Sequence, residues 1–255
     1  MARPAHETKH LRVLAYPFRT FSFHLAQLDN GRTNGSALWL GAQILSSFLA
    51  QTHTRRKAVA DAEHDEQPRP RVVELGSGMG LSALALAALG WDVLATDLPD
   101  VISSVLAENI ARNIANLPGT VQVRILNWAI SPSKWVWDND GSLLGPPFDM
   151  IISADTLYDI ALVDPLLRAI HTLCTLSLSS SGRAPCAYIC LERRDPVLID
   201  HALAAAESTW NFTTERIPRR KVAKAMEKEG LRWTAEDWEG IEIWKLTLRS
   251  NPKTT

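Results

Sequence analysis

Arg71-Val72-Val73-Glu74-Leu75-Gly76-Ser77-Gly78-Met79-Gly80, continued by LSALALAAL over 81–89, decides the fold. A short strand-forming run meets glycines at alternate positions and then a stretch free of Gly and Pro, which is the pattern of a strand, a sharp turn and a helix. Outward from this point the alternation repeats. WDVLATD (91–97) reads as a second strand, and Pro99 opens a helix to about 115, since proline is tolerated in a first helical turn. VQVRILNW (121–128) is a third strand, followed by a loop rich in Trp, Asp, Gly and Pro, and FDMIISAD (148–155) is a nearly apolar fourth, as expected where both faces are covered. A helix over 161–178, a fifth strand ending APCAYICLERR (184–194), a helix over 196–210 and a final alternating strand IEIWKLTLR (241–249) complete the series. The pattern predicts an α/β fold, doubly wound around a mostly parallel sheet, and such sheets bind ligands at the carboxyl ends of their strands.

Ahead of the glycine turn, SALWLGAQILSSFLA (36–50) places Leu38, Ala42, Leu45 and Leu49 at helical spacing, with Trp39 one position round from the stripe. An amphipathic helix leading into the domain is expected there. Residues 1–35 read as a partly irregular N-terminal extension, and 52–70, where RRK is followed by DAEHDEQPRP, as a second solvated loop. Residues 36–255 are expected to form one domain, in keeping with a chain of 255 residues of which 46% are apolar. A formal net charge of −1 provides no general field for nucleic acid or anionic membrane. The apolar stretch Leu81–Leu89 falls far short of the roughly 20 residues of a bilayer span. The charged start MARPAHETKHLRV shows no export signal, so a cytoplasmic protein is expected, with the nucleus open as well. Neither nucleic acid nor membrane is expected as a partner, and a monomer is expected.

Three cysteines, Cys174, Cys186 and Cys190, cannot pair completely and read as reduced core side chains. His6 and His10 have the i, i+4 spacing of helical metal ligands but lack the cluster of acidic or Cys partners that a site needs, so no metal site is expected.

The turn after the first strand lets backbone approach a ligand closely and presents the free N–H groups of the following helix. Its spacing departs from the dinucleotide fingerprint G-x-G-x-x-G, which would need Gly or Ala at 81 where this chain has Leu81. Glu74 ahead of the glycines also makes a pyrophosphate a poor match. Asp97, ending the second strand about 20 residues past the first glycine, has the place of a carboxylate that accepts two ribose hydroxyls; its alternative is to cap the next helix. A ribose-bearing ligand without a large phosphate demand fits both strand ends.

Glu74-Leu75-Gly76-Ser77-Gly78-Met79-Gly80, then Thr96-Asp97, then Asn127-Trp128-Ala129 and Ser153-Ala154-Asp155-Thr156-Leu157-Tyr158, together resemble the class I S-adenosylmethionine-dependent methyltransferases. Within them the chain resembles the seven-stranded protein-lysine methyltransferases with an Asp-x-x-Tyr motif, a group that includes many elongation-factor methyltransferases of fungi and animals. The resemblance implies a Rossmann-like seven-stranded sheet with its final strand antiparallel, and S-adenosylmethionine as cofactor. It implies that Gly76, Ser77, Gly78 and Gly80 shape the methionine end of the pocket, that Glu74 orders that turn, and that Asp97 holds the ribose. Trp39, Trp128 and Ala154 would line the adenosine and methionine portions. Asn127 stands where the family usually carries Asp and would meet the adenine amino group without charge. Asp155 and Tyr158 would face the substrate amine as the catalytic pair, with a protein such as translation elongation factor 1A or another cytosolic factor as substrate. A small-molecule N-methyltransferase acting on a pyridine-like amine, a catalytically silent binding module and, by glycine spacing least of all, a nicotinamide dehydrogenase are the competing readings. The basic stretch Arg219, Arg220, Lys221, Lys224 and Lys228 is either a solvated face or a dock for an acidic patch.

Overall fold

The computed structural model describes residues 2–28, 34–53, 68–135, 137 and 144–249. The loop expected over 52–70 lies mostly outside the described residues, as does part of the loop after 128.

The alternation of strands and helices folds as a doubly wound sheet. Strands β3 (Arg71–Leu75), β4 (Asp92–Asp97), β5 (Thr120–Ile125), β6 (Met150–Ala154), β7 (Cys186–Glu192), β8 (Phe212–Arg216) and β9 (Ile241–Leu248) lie in the order β5-β4-β3-β6-β7-β9-β8. β3 to β7 pair in parallel, and β9 runs antiparallel to both β7 and β8. The seventh strand, β8, lies within FTTER, whose polar alternation fits its place at the sheet edge. Because a strand's side chains alternate between faces, Val72 and Val73 enter opposite cores, as do Ile152 and Ile151. The core on Val72's side packs α2 (Leu40–Thr52), α3 (Leu81–Ala88) and α8 (Arg219–Lys228); the core on Val73's side packs α6 (Ile160–Ser181) and α7 (Pro196–Ser208). Chain direction across the sheet reverses between β3 and β6, so a crevice opens above their carboxyl ends.

Two expectations are corrected. The N-terminal segment is packed rather than irregular and solvated: after the short helix α1 (Ala5–Thr8), β1 (Val13–Phe18) and β2 (Phe21–Ala26) form an antiparallel hairpin. Its inward residues Leu14, Tyr16, Phe18, Phe23 and Leu25 are buried. The hairpin is tied to the helical stretch after β4, where α4 (Pro99–Val101), a wide π turn and α5 (Ala107–Asn113) follow one another. There Asn109 Oδ1 accepts from the Ala26 amide at 2.7 Å, and Asn109 Nδ2 donates to the carbonyls of Ala26 and Met79. Second, α2, expected to be amphipathic, is buried on nearly all sides. It begins after Trp39, its N-cap residue, and is buried from Gln43 to Ala50, with Gln43 Nε2 donating to the Arg3 carbonyl at 2.8 Å. Among the described residues one helix, α6, is long and apolar enough to cross a membrane by length and composition alone, but it carries Pro165 and lays Leu166, Leu167, Ile170 and Leu173 into the core of the sheet.

Phe23, 1% exposed, tests the hairpin's contribution. Phe23→Ala is expected to lower stability by about 3–5 kcal/mol in urea denaturation, the usual cost of emptying a buried aromatic site. A loss under about 1 kcal/mol would return the segment to a solvated tail.

Candidate active site

Above the carboxyl ends of the parallel strands lies a cleft of ≈ 1090 Å³. Its wall begins at the turn after β3. Gly76 and Ser77 donate their amides to the Thr96 carbonyl at 3.0 and 2.9 Å, and Thr96 Oγ1 returns a bond to the Glu74 carbonyl at 2.6 Å. This lattice locks the ends of β3 and β4 side by side. Gly76 and Gly78 take φ of 74° and 53°, and each is hemmed in: a Cβ on Gly76 would come within 2.6 Å of Thr156 Cγ2, and one on Gly78 within 3.0 Å of the Gly35 carbonyl oxygen. Only glycine satisfies both backbone and space there.

Gly80 does something different from its neighbours. It is the left-handed N-cap of α3, and a Cβ there would meet Leu106 and Ile110 at 2.9 and 3.0 Å. It is not among the residues lining the cleft, and its missing Cβ serves the packing of α3 against the helical stretch after β4.

Asp97 stands at the end of β4 with one carboxylate oxygen accepting from the Gly78 amide and the other from the Leu98 amide, both at 2.8 Å. Asp97 lines the cleft, and each oxygen has acceptor capacity beyond its one amide bond, as holding two vicinal hydroxyls requires. No side chain caps the helix that follows, so the capping alternative for Asp97 does not hold. Burial pushes its carboxyl above the ordinary range, and the two amide bonds offset part of that shift. Asn127 lines the cleft, with its Oδ1 accepting from the Ala129 amide at 2.9 Å in a local turn. Trp128 lies against Gly76, with its indole Nε1 buried and unpartnered among the described residues, while its carbonyl accepts from Arg168 at 2.6 Å. Trp39 lies across the cleft, with Lys9 Nζ 3.6 Å and the Arg194 guanidinium 5.3 Å from its ring centroid.

The Asp-x-x-Tyr segment divides its labour. Ser153 Oγ donates to the Leu75 carbonyl and shares a bond with Thr156 Oγ1, both at 2.7 Å, which pins the end of β6 to β3 and sets Ala154 on the cleft wall. Asp155 has φ of 56°, uncommon for a residue with a Cβ, and turns its carboxylate into the first turn of α2. There a Cβ on Gly41 would lie 2.4 Å from Asp155 Oδ2. Oδ2 is buried without a hydrogen-bond partner among the described residues, and burial raises the carboxyl to about 7 despite the facing amides of Gly41 and Ala42. Asp155 therefore lines the cleft and also braces a helix N-terminus. That helix is α2 and not the next one, since Asp159 caps α6 through the Ala161 amide. Tyr158 is 57% exposed at the mouth and is no packing residue.

Sequence reasoning missed the contribution of the β7 end. Glu192, Arg194 and Asp195 line the cleft opposite the glycine turn, and Arg194 is bonded to Glu192. The signal was available, because β7 is a parallel strand whose carboxyl end faces the same crevice. Of the lining residues described, Glu74, Asp97, Asp100, Asp155, Glu192 and Asp195 are acidic, and Arg194 alone is basic. Outside the cleft lining, His6 Nε2 comes within 3.8 Å of Asp237, which arrives from near the other end of the chain. Glu7 completes a trio whose ligand atoms lie within 4.8 Å of one another, with His6 and Glu7 exposed and Asp237 half-buried.

A doubly wound sheet with a glycine cradle after its first parallel strand, a carboxylate after its second and an Asp-x-x-Tyr segment after its fourth defines a class I methyltransferase fold. The sequence family described as lysine methyltransferase matches residues 24–202, and this chain belongs to it. The protein-lysine methyltransferase METTL21E of Mus musculus is 30% identical over 169 residues, which is 64% of this chain and 62% of that protein. The protein-lysine N-methyltransferase rrg1 of Schizosaccharomyces pombe is 31% identical over 131 residues, 50% of this chain and 38% of its own. EEF1A lysine methyltransferase 3 of Mus musculus is 32% identical over 215 residues, 80% of this chain and 84% of its own. The chain thus spans less than two thirds of the first two relatives and most of the third.

Glu74 provides a test of the electrostatics. Burial raises its carboxyl to about 8, although Ser77, Ser82 and the Ala83 amide face it. A raised carboxyl means that the native state keeps a proton the unfolded chain has released, so stability is lost as pH rises from about 4.5 through about 8 and is level beyond. Glu74→Gln cannot titrate. Its stability relative to wild type is expected to improve between pH 5 and pH 9 in denaturant titrations, and a difference independent of pH would contradict the buried, raised carboxyl.

Proposed function

We propose that the protein is an S-adenosylmethionine-dependent protein-lysine N-methyltransferase. The observation that carries this reading is the make-up of the cleft, which is lined by six acidic side chains and one basic one, itself bonded to Glu192, and in which the raised carboxyls of Glu74 and Asp155 ionise more readily once a cation enters. Such a lining repels pyrophosphate and favours cationic ligands, and both a sulfonium and a lysine ammonium are cations. The cradle fits the cofactor in three respects: Gly76 and Gly78 leave backbone where a Cβ would intrude, Asp97 has acceptor capacity beyond its two amide bonds for a ribose, and the buried Trp128 Nε1 awaits an acceptor.

When bound, the cofactor supplies an electrophilic methyl group for direct displacement by an amine. The chain's own residues have to deliver that amine neutral and aligned. Lysine's reference pKa of about 10.4 leaves almost none of it neutral near pH 7, so the incoming ammonium must lose a proton before attack. Asp155, with its carboxyl raised to about 7, can accept a hydrogen bond from the entering ammonium, and Tyr158 at the mouth can orient it. Tyr158 and Leu98 are exposed residues of the cleft lining, and the exposed Ile160 and Val197 are the sequence neighbours of the lining residues Ala161 and Leu198. An apolar rim of this kind suits a protein surface better than a small amine. A cytosolic factor such as elongation factor 1A is the acceptor to test first, which sets the site of action in the cytoplasm.

The test pairs cofactor binding with transfer to elongation factor 1A. Asp97→Ala is expected to weaken S-adenosylmethionine binding by about 1.5–3 kcal/mol, the range for hydrogen bonds to a charged group. Tyr158→Phe should cut transfer on the order of 10²-fold through lost alignment while cofactor affinity stays unchanged. Asp155→Ala should lose both, because its carboxylate also braces the turn that carries Trp39. Binding of NAD in place of S-adenosylmethionine would overturn the assignment, and activity on free small amines but on no protein would give the function to a small-molecule enzyme.

A further inference from the structure

α8 sets Val222, Ala225 and Met226 into the core and leaves Lys221, Lys224 and Lys228 exposed. Spacings of three and four residues put these lysines on one face. Together with Lys245 of β9 they line a groove of ≈ 460 Å³ beside Tyr188 and the last turn of α2. Glu215 is the one carboxylate lining it, and none of the four lysines is ion-paired among the described residues. Glu229, at the end of α8, is taken by Arg19 at 2.9 Å and by Gln51. Arg219 is turned away onto Trp238 at 3.8 Å, so the basic stretch is not uniform: its lysines converge and its first arginine packs. Like charges on one helix face repel, and a fourth from the neighbouring strand adds to the repulsion. An anionic partner relieves it.

The groove and the cleft lie at opposite ends of α2. Trp39 and Ala42 line the cleft at its start, whereas Gln51 and Thr52 line the groove at its end. Thirteen residues at 1.5 Å each separate the two by about 20 Å. The two sites are of opposite polarity, an acidic cleft for a lysine and a cationic groove for acidic side chains. We propose that the groove docks an acidic segment of the protein substrate, about 20 Å from the lysine being methylated. This rests on the reading of the cleft as a protein-lysine methyltransferase site.

The experiment uses the full chain, with labelled poly-L-glutamate as the probe for the groove and methylation of elongation factor 1A as the probe for the cleft. Lys221→Glu/Lys224→Glu should lose poly-L-glutamate binding and raise KM for the protein acceptor at least 10-fold, with kcat and cofactor affinity within twofold of wild type. Lys221→Arg/Lys224→Arg should retain both. Unchanged glutamate binding or unchanged KM in the reversed variant would overturn the proposal. So would tripolyphosphate binding as tightly as the polymer with no effect on KM, which would make the groove a small-anion pocket. Glutamate binding that responds to the lysines beside a wild-type protein that methylates no protein would mark the cleft reading as the failure, and the substrate assignment would fall with it.

Discussion

The structure depends on a carboxylate set against a helix end. Asp155 reaches from β6 into the first turn of α2 and fits only because Gly41 has no Cβ, which would lie 2.4 Å from Oδ2. The backbone is committed to the same geometry: Asp155 takes a left-handed φ of 56°, and its amide donates to the Cys190 carbonyl at 2.9 Å across the strand pair. A positive helix terminus offsets part of the cost of burying the charge. Because α2 is buried over most of its length, its start cannot shift without disturbing the core, and Trp39 is held in the cleft wall as a result.

Around this contact the cleft accumulates acidic side chains. Asp97 is bound by two backbone amides, Glu74 is buried behind the glycine turn, and Asp155 is buried in front of it. Burial raises all three carboxyls, and Glu192 pushes Asp155 further in the same direction. A cation entering the cleft reverses that tendency, because it favours the charged form of each. The site is therefore poorly suited to phosphate and matched to ligands that arrive with positive charge, and the displacement of solvent by such ligands strengthens every one of these interactions.

Much of this was legible in the sequence for a physical reason. Parallel strands covered on both faces are short apolar runs, and the residues at their carboxyl ends converge by topology, so Glu74, Gly76, Ser77, Gly78, Asp97, Asn127, Trp128, Ala154 and Tyr158 could be brought together from spacing and resemblance. The hairpin of β1 and β2 was not read, although Leu14, Tyr16 and Phe18 alternate. Its turn has no Gly or Asn: Arg19 itself takes φ of 53°, and its guanidinium is held by Glu229, 210 residues away. Gly80 looked like its neighbours, and only the Leu106 and Ile110 side chains distinguish it. The bracing of α2 was likewise invisible, because Gly41 sits in an apolar run and nothing local marks it as the residue that admits Asp155. The contribution of β7 was missed because its end was read as the close of a strand and its charges were not followed into the crevice.

The central claim is that the cleft is built for cations and holds carboxyls poised near neutrality. Calorimetric titration of S-adenosylmethionine at pH 7.5, in buffers of different ionisation enthalpy, measures protons released on binding. Glu74 and Asp155, raised to about 8 and about 7, are partly protonated at that pH. The account predicts net proton release with the sulfonium cofactor and clearly less with S-adenosylhomocysteine, which lacks the positive sulfur. Equal proton release for the two, or none for either, would contradict it.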